Sequence, residues 1–366
     1  MNSKPAIELE ASSNFGRAWR VFAVSLIALA AIVTYSNTLS SGFIHDDTAE
    51  ILQNPLVRDF SLIPKIFSLP AWGFASEGPY QFGSNYYRPV QYLLYNLLYH
   101  LFGANPLGYH LFKLLNHLAV SILLLGVVWR ITNVRWMALF SALLFSVHPA
   151  NTEAVSWISG VTDTSCAFFF LASFLLYLQD RARPSTLSLS MLSVSFFCGL
   201  LSKEMMPTFL ALVLAYSWIT EGQRPTLVKH RRQLIPLAAV FLVYLTLRMN
   251  AIGSFLDQRQ LRYESLSVVQ VLLNQTYLLC KYIKLFFLPY ALNAHHLFEP
   301  IWSPFDPRFV ISFIASGLLC FCFMKARLGS SLQGKMTLFG LCWFVITLSP
   351  VLIFIKRIGE NLFAER

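Results

Sequence analysis

The chain has 366 residues, 56% of them hydrophobic and only 13% charged, with a mean hydropathy of +0.56. A soluble domain carries about a quarter charged residues, so this composition excludes an ordinary soluble enzyme and implies an all-α polytopic membrane protein. The formal charge of +10 does not imply a nucleic-acid partner, because the basic residues sit in short loops between apolar runs rather than on an arm.

Residues 1–20 read as an N-terminal tail on the cytoplasmic side. Arg17 and Arg20 precede an apolar run that passes through Ala28-Leu29-Ala30 and continues into Ile32 and Val33. A signal-peptidase cut after Ala30 would fall inside that run, so a retained first span is expected. A span needs roughly 17–25 apolar residues. The expected spans cover 21–40, 109–131, 134–148, 161–179, 186–201, 205–220, 234–249, 309–323 and 336–355, within a transmembrane domain of residues 21–366.

Segment 266–290 is apolar, but Lys281 and Lys284 lie inside it and Pro289 closes it. Basic residues concentrate on the cytoplasmic side of membrane proteins. Treating 266–290 as an interfacial or re-entrant helix leaves nine spans. It also puts Arg17, Arg20, Arg130, Arg135, Arg181, Arg183, Arg231, Arg232, Lys325, Arg327 and Lys335 on that side, with few acids beside them.

The outer loop 41–108 contains "PVQYLLYNLLYHLF" at 89–102, with apolar residues at Val90, Leu93, Leu94, Leu97, Leu98, Leu101 and Phe102. That is the one-face spacing of an amphipathic helix, and fourteen residues cannot cross a bilayer. A helix lying in the outer interface is expected; packing on a soluble lobe is the weaker alternative, since no lobe is evident. The six cysteines lie in apolar segments without ligand spacing and read as core hydrophobes. Asn274-Gln275-Thr276 matches a glycosylation sequon that matters only in a eukaryotic lumen.

Under this topology the charged clusters fall on the outer side. The first span is followed by His45-Asp46-Asp47, and the outer loop supplies "NYYRP" with Tyr87 and Arg88. "HPANTEAVSWISGVTD" contributes His148, Glu153 and Asp163. Lys203 and Glu204 close the fifth span, and Glu365 and Arg366 end the chain. Adjacent carboxylates near low-dielectric surface repel and are costly unless they bind a cation, a hydroxyl or a basic partner.

A hydroxyl attacking a sugar held on a lipid phosphate needs three things. It needs a carboxylate to take its proton, cations for the leaving phosphate, and an apolar groove for the lipid tail. Asp46 and Asp47 suit the first role, and Arg88, Lys203 and Arg366 the second. A divalent metal on Asp46 and Asp47 stays open.

In order and spacing, "FIHDDTAEILQNPLV", "YYRPV", "GYHLFKLLNHL", "HPANTEAVSWISGVTD", "SKE" and "AER" resemble the GT-C membrane glycosyltransferases. The nearest likeness is to the protein O-mannosyltransferase-like group that carries transmembrane spans followed by tetratricopeptide repeats. The resemblance implies a GT-C helical bundle and transfer of a sugar from a polyprenyl-phosphate donor to a protein or glycan hydroxyl. It makes the acidic pair, here Asp46 and Asp47, central to catalysis. Arg88, Lys203 and Arg366 are then expected at the lipid phosphate, with His45, Tyr87, His148, Glu153, Asp163, Glu204 and Glu365 lining the cavity.

Where that group often has an arginine in "SGRxD", this chain reads Ser159-Gly160-Val161-Thr162-Asp163. The group also continues past "AER" into further spans and repeats, so a truncated form is expected. The location implied is a multi-pass membrane, the bacterial inner membrane or the endoplasmic reticulum of a eukaryote, with the site facing the periplasm or lumen. A transporter or an inactive membrane remnant of the family is the alternative.

Overall fold

The computed structural model describes residues 6–75, 84–221, 227–253, 263, 265–294, 296, 298–329, 331–356 and 363–364, those of 6–15 and 227–229 in backbone only. No strand occurs among the described residues. The α-helices are α1 Ala6–Tyr35, α2 Pro55–Arg58, α3 Ile63–Ile66, α4 Pro89–Phe102, α5 Pro106–Thr132, α6 Arg135–Val147, α7 Thr152–Ser156, α8 Val161–Ala182, α9 Thr186–Leu200, α10 Thr208–Glu221, α11 Leu227–Ile252, α12 Val268–Phe287, α13 Pro307–Leu328 and α14 Leu332–Ile353.

Local chemistry sets many of the boundaries. Asn105 caps α5 by accepting from Leu107 N at 3.1 Å, with Pro106 in the first turn. Asp306 and Pro307 repeat the device on α13. Ser267 and Gln270 form a reciprocal capping box on α12. Asn133, at φ 56, ends α5 in the left-handed conformation that asparagine tolerates.

Six helical segments are long and apolar enough to cross a membrane: Gly16–Ser40, Pro106–Thr132, Ile158–Ala182, His230–Ile252, Pro307–Leu328 and Leu332–Ile353. The chain is thus an all-α polytopic membrane protein. The other three expected spans also fall on apolar helices, α6, α9 and α10, of 13, 15 and 14 residues. At about 1.5 Å per residue these are shorter than the hydrocarbon layer. In the bundle, Phe170 and Phe174 of α8 meet Phe209 of α10, and Phe174 stacks on Phe339 of α14 with ring centroids 5.7 Å apart.

The two ends of the bundle differ in chemistry. At one end Trp19 and Trp129 meet edge to face at 5.1 Å, with Arg135 over both. Arg130 and Arg181 lie within Coulombic range of Tyr216 there, and Arg327 sits over Trp218. Asp180, fully buried, accepts from Ser188 Oγ at 2.6 Å, Gln233 Nε2 at 2.7 Å and Ser185 N at 3.2 Å. Arg181 pairs with Glu221. The opposite end, the site end, gathers the residues after α1, before α5, between α6 and α8, and between α9 and α10.

Helix α12 contacts the site end along its length. Gln275 Nε2 donates to Leu352 O at the finish of α14, and Phe286 O lies 3.1 Å from His148 Nε2 after α6. Both contacts are made to helix ends that lie at the site end. It exposes Val268, Val269, Leu272, Phe286 and Phe287.

The outer loop departs from expectation in one respect: it does build a small lobe. Ile51, Leu56, Val57, Ile66 and Ala71 pack on Tyr92, Tyr95 and Leu98 of α4 and on Tyr109 and Ile158. The face of α4 that reads as polar is the buried one, because its amides find partners: Asn96 Nδ2 donates to Leu56 O at 3.0 Å and Gln91 Nε2 to Glu50 Oε2 at 2.8 Å. Leu97, Leu101 and Phe102 remain exposed on the other side.

Candidate active site at one end of the bundle

The site begins at a tight corner. His45 has φ 48, a left-handed conformation that histidine visits more readily than most residues, and the corner delivers Asp46 and Asp47 into the start of a widened turn. That turn, Thr48–Leu52, closes with an i to i+5 bond from Gln53 N to Thr48 O at 3.0 Å, a rare helix form that is frequent at functional sites. Asp47 has no exposed surface. Its Oδ1 accepts from Ser159 N at 2.9 Å and Ser159 Oγ at 2.6 Å, and its Oδ2 from Ile44 N at 3.1 Å. Asp46, the neighbour, is half-buried.

Glu50 lies one turn on and is 4% exposed. Burial pushes its carboxyl up to about 8; the Ser159 hydroxyl opposes the rise, and the charges of Asp46 and Asp47 add to it. Its partner Gln91 sits 3.4 Å from Tyr95 OH.

The second wall is the 85–91 strip, tied to the turn after α9 by Val90 N donating to Leu201 O at 3.1 Å. Glu204 accepts from Tyr87 N at 3.2 Å and from Arg88 through Nε at 3.1 Å and Nη2 at 2.8 Å. Arg88 also lies 4.2 Å from the Tyr86 ring centre. Burial opposes both charges, but the pairing overrides it, holding Arg88 above its ordinary range and Glu204 below the usual carboxylate range. Lys203, beside Glu204 in the chain, turns the other way and pairs with Asp163 on the first turn of α8.

Asp47, Arg88, Asp163, Lys203 and Glu204 therefore stand on neighbouring walls at one bundle end. His45 projects outward, its ring 6.5 Å from Trp157. Glu153 lies half-buried in α7. His148 faces α12 instead, with Nε2 on Phe286 O and Nδ1 accepting from Ala150 N at 3.3 Å. Glu365 and Arg366 lie outside the described residues. Among the described residues, no group of three or more His, Cys, Asp or Glu side chains could hold a metal ion.

Sequence reasoning missed several members. Glu50 stands three residues after Asp47, a spacing that a helical turn brings to one side. Ser159 anchors Asp47, and nothing in a lone serine announces that. Lys113, 1% exposed in α5, places Nζ 3.4 Å from Thr164 Oγ1; a lysine inside a span is itself a signal. Arg248 of α11 donates from Nη2 to Asn85 O at 2.8 Å.

No protein-family model and no solved structure matches the chain. Known proteins do. It is 31% identical over 182 residues to Protein O-mannosyl-transferase TMTC3 of Mus musculus, a match covering 48% of this chain and 20% of that protein. The chain's relatives are protein O-mannosyl-transferases. It is 33% identical over 206 residues to the TMTC1 protein of Homo sapiens, covering 53% of this chain and 23% of that one. The Tmtc2 protein of Drosophila melanogaster is 33% identical over 220 residues, 58% of this chain and 23% of its own length. The resemblance carried by the motifs and these O-mannosyl-transferase relatives agree. The chain spans about a fifth to a quarter of the length of these relatives.

Proposed function

We propose that the chain is an integral-membrane glycosyltransferase that moves a sugar, mannose by analogy with its relatives' name, from a polyprenyl-phosphate carrier to a protein hydroxyl. The observation that carries this reading is the meeting of a carboxylate pair, Asp46 and Asp47, with the Arg88–Glu204 and Lys203–Asp163 pairs at one end of a membrane bundle. The face concerned is the one away from the cytosol, periplasmic in a bacterium and luminal in a eukaryote.

Asp46 is the base in this proposal. Three donors already occupy the oxygens of Asp47, so its role is to hold the turn that presents Asp46. The acceptor hydroxyl gives its proton to the Asp46 carboxylate as its oxygen bonds to the anomeric carbon. The bond from that carbon to the phosphate oxygen breaks, the electron pair leaves with the polyprenyl phosphate, and the single displacement inverts the anomeric centre. Arg88 and Lys203 supply positive potential to the departing phosphate.

The test is release of label from radiolabelled polyprenyl-phosphate mannose by the purified chain with a Ser/Thr peptide. Wild type should transfer label, and Asp46→Asn should lose on the order of 100-fold or more, the contribution of a positioned base. Equal transfer by the two proteins removes Asp46 from the role.

A further inference from the structure

Among the described residues the site holds four cations, Arg88, Lys113, Lys203 and Arg248, and they are not equivalent; Lys113 lies buried with Nζ 3.4 Å from the Thr164 hydroxyl. Arg88 is held by Glu204 and Lys203 by Asp163. Arg248 differs: among the described residues no carboxylate lies within salt-bridge distance of it. Among the described residues its hydrogen-bond partners are neutral, Asn85 O at 2.8 Å from Nη2 and the side chain of Tyr244. Its Nη1 is enclosed and meets no acceptor, and Asn85 Oδ1 is enclosed and meets no donor. A guanidinium N–H shut away without a partner opposes folding, and that free energy is recovered when an anionic oxygen arrives.

The surroundings say which anion fits. Helix α11 packs Tyr244 against Tyr87, ring centres 6.1 Å apart, and Arg248 follows one turn later on the same face. Glu204, the partner of Arg88, feels the charge of Arg248. The other side of α11 exposes Leu242 and Val243, an apolar surface along a helix able to cross the membrane. A cation at the site end of a helix whose outer side is apolar matches a ligand with a phosphate on a long hydrocarbon tail. Guanidinium geometry also suits phosphate oxygens.

We propose that Arg248 is the phosphate contact of the site, taking an oxygen of a lipid phosphate at Nη1 while the lipid tail lies along α11. This rests on the glycosyltransferase reading only for the identity of the lipid. Arg88 and Lys203, each already paired with a carboxylate, contribute potential at the phosphate, while Arg248 contacts it.

The experiment measures binding of a fluorescent polyprenyl phosphate to the purified chain in neutral phosphatidylcholine nanodiscs, with phosphatidylglycerol and inorganic phosphate as competitors. Arg248→Gln should weaken binding on the order of 10- to 100-fold, the range for a charge-assisted bond. Arg248→Lys, which keeps the charge, should stay within about tenfold of wild type.

Unchanged binding by Arg248→Gln overturns the proposal, as does an equal loss in a folded Arg248→Lys protein. Competition by phosphatidylglycerol at equal concentration reduces Arg248 to a general lipid anchor, and inorganic phosphate competing as well makes it a simple anion site; either outcome also overturns it. A wild type that binds polyprenyl phosphate through Arg248 but transfers no sugar leaves this inference standing and removes the activity instead.

Discussion

Glu50 offers the sharpest test of how the site is built. Its carboxyl is 4% exposed and pushed from 4.5 up to about 8 by burial. A group whose folded value is raised binds more protons in the folded state, so its contribution to stability is fully present below 4.5 and is lost as pH rises through about 8. At about 1.4 kcal/mol per unit, the loss across that window is at most about 5 kcal/mol, and less in practice because the turn relaxes and admits water when the acid ionises.

Glu50→Gln replaces the protonated acid with a neutral amide of the same shape whose oxygen still accepts from Gln91. The variant should match wild type near pH 5. By pH 9 it should melt several degrees higher, with thermal unfolding followed by tryptophan fluorescence in detergent at each pH. Parallel melting curves for the two proteins from pH 5 to 9 would refute the buried, protonated Glu50.

Three further outcomes follow from the geometry. Asp47→Ala leaves Ser159 N, Ser159 Oγ and Ile44 N without their acceptor; at about 1–3 kcal/mol for each buried orphan, it should lower the melting temperature clearly more than Asp46→Ala. Arg88→Ala strands the Glu204 carboxylate, so it should destabilise more than the Arg88→Ala/Glu204→Gln double variant. Because Glu204 is held below its ordinary range, the stability this pair contributes should be present above pH 4.5 and disappear under acid; a double variant as acid-sensitive as wild type sinks that assignment. In a cysteine-free background, Ser267→Cys and Leu288→Cys, at the two ends of α12, should both react with a membrane-impermeant maleimide from the same side. Labelling from opposite sides shows that α12 spans.

Much of the bundle was legible because membrane burial writes itself into local composition. Apolar runs mark the spans, and Arg130, Arg135, Arg181 and Arg327 mark one end of them. The acidic pair stood out for the same reason: ionised groups beside a hydrocarbon layer are rare. Three things were hidden. The inward turn of α4 depended on partners for Asn96 and Gln91, which hydropathy cannot see. The pairing of Arg88 with Glu204 joins residues 116 positions apart, and no periodicity links them. Arg248 closes an otherwise apolar run, where an arginine reads as a simple span-end charge. Its meaning comes from Asn85, which the fold delivers from a different loop.

Lys203 and Glu204 are neighbours in the chain, yet one grips α8 through Asp163 and the other grips the 85–91 strip through Arg88. A single peptide unit is thereby clamped to two separate bodies, the bundle and the outer lobe. Rotation of that unit cannot loosen one grip without straining the other, so the two bodies are geared together at this point.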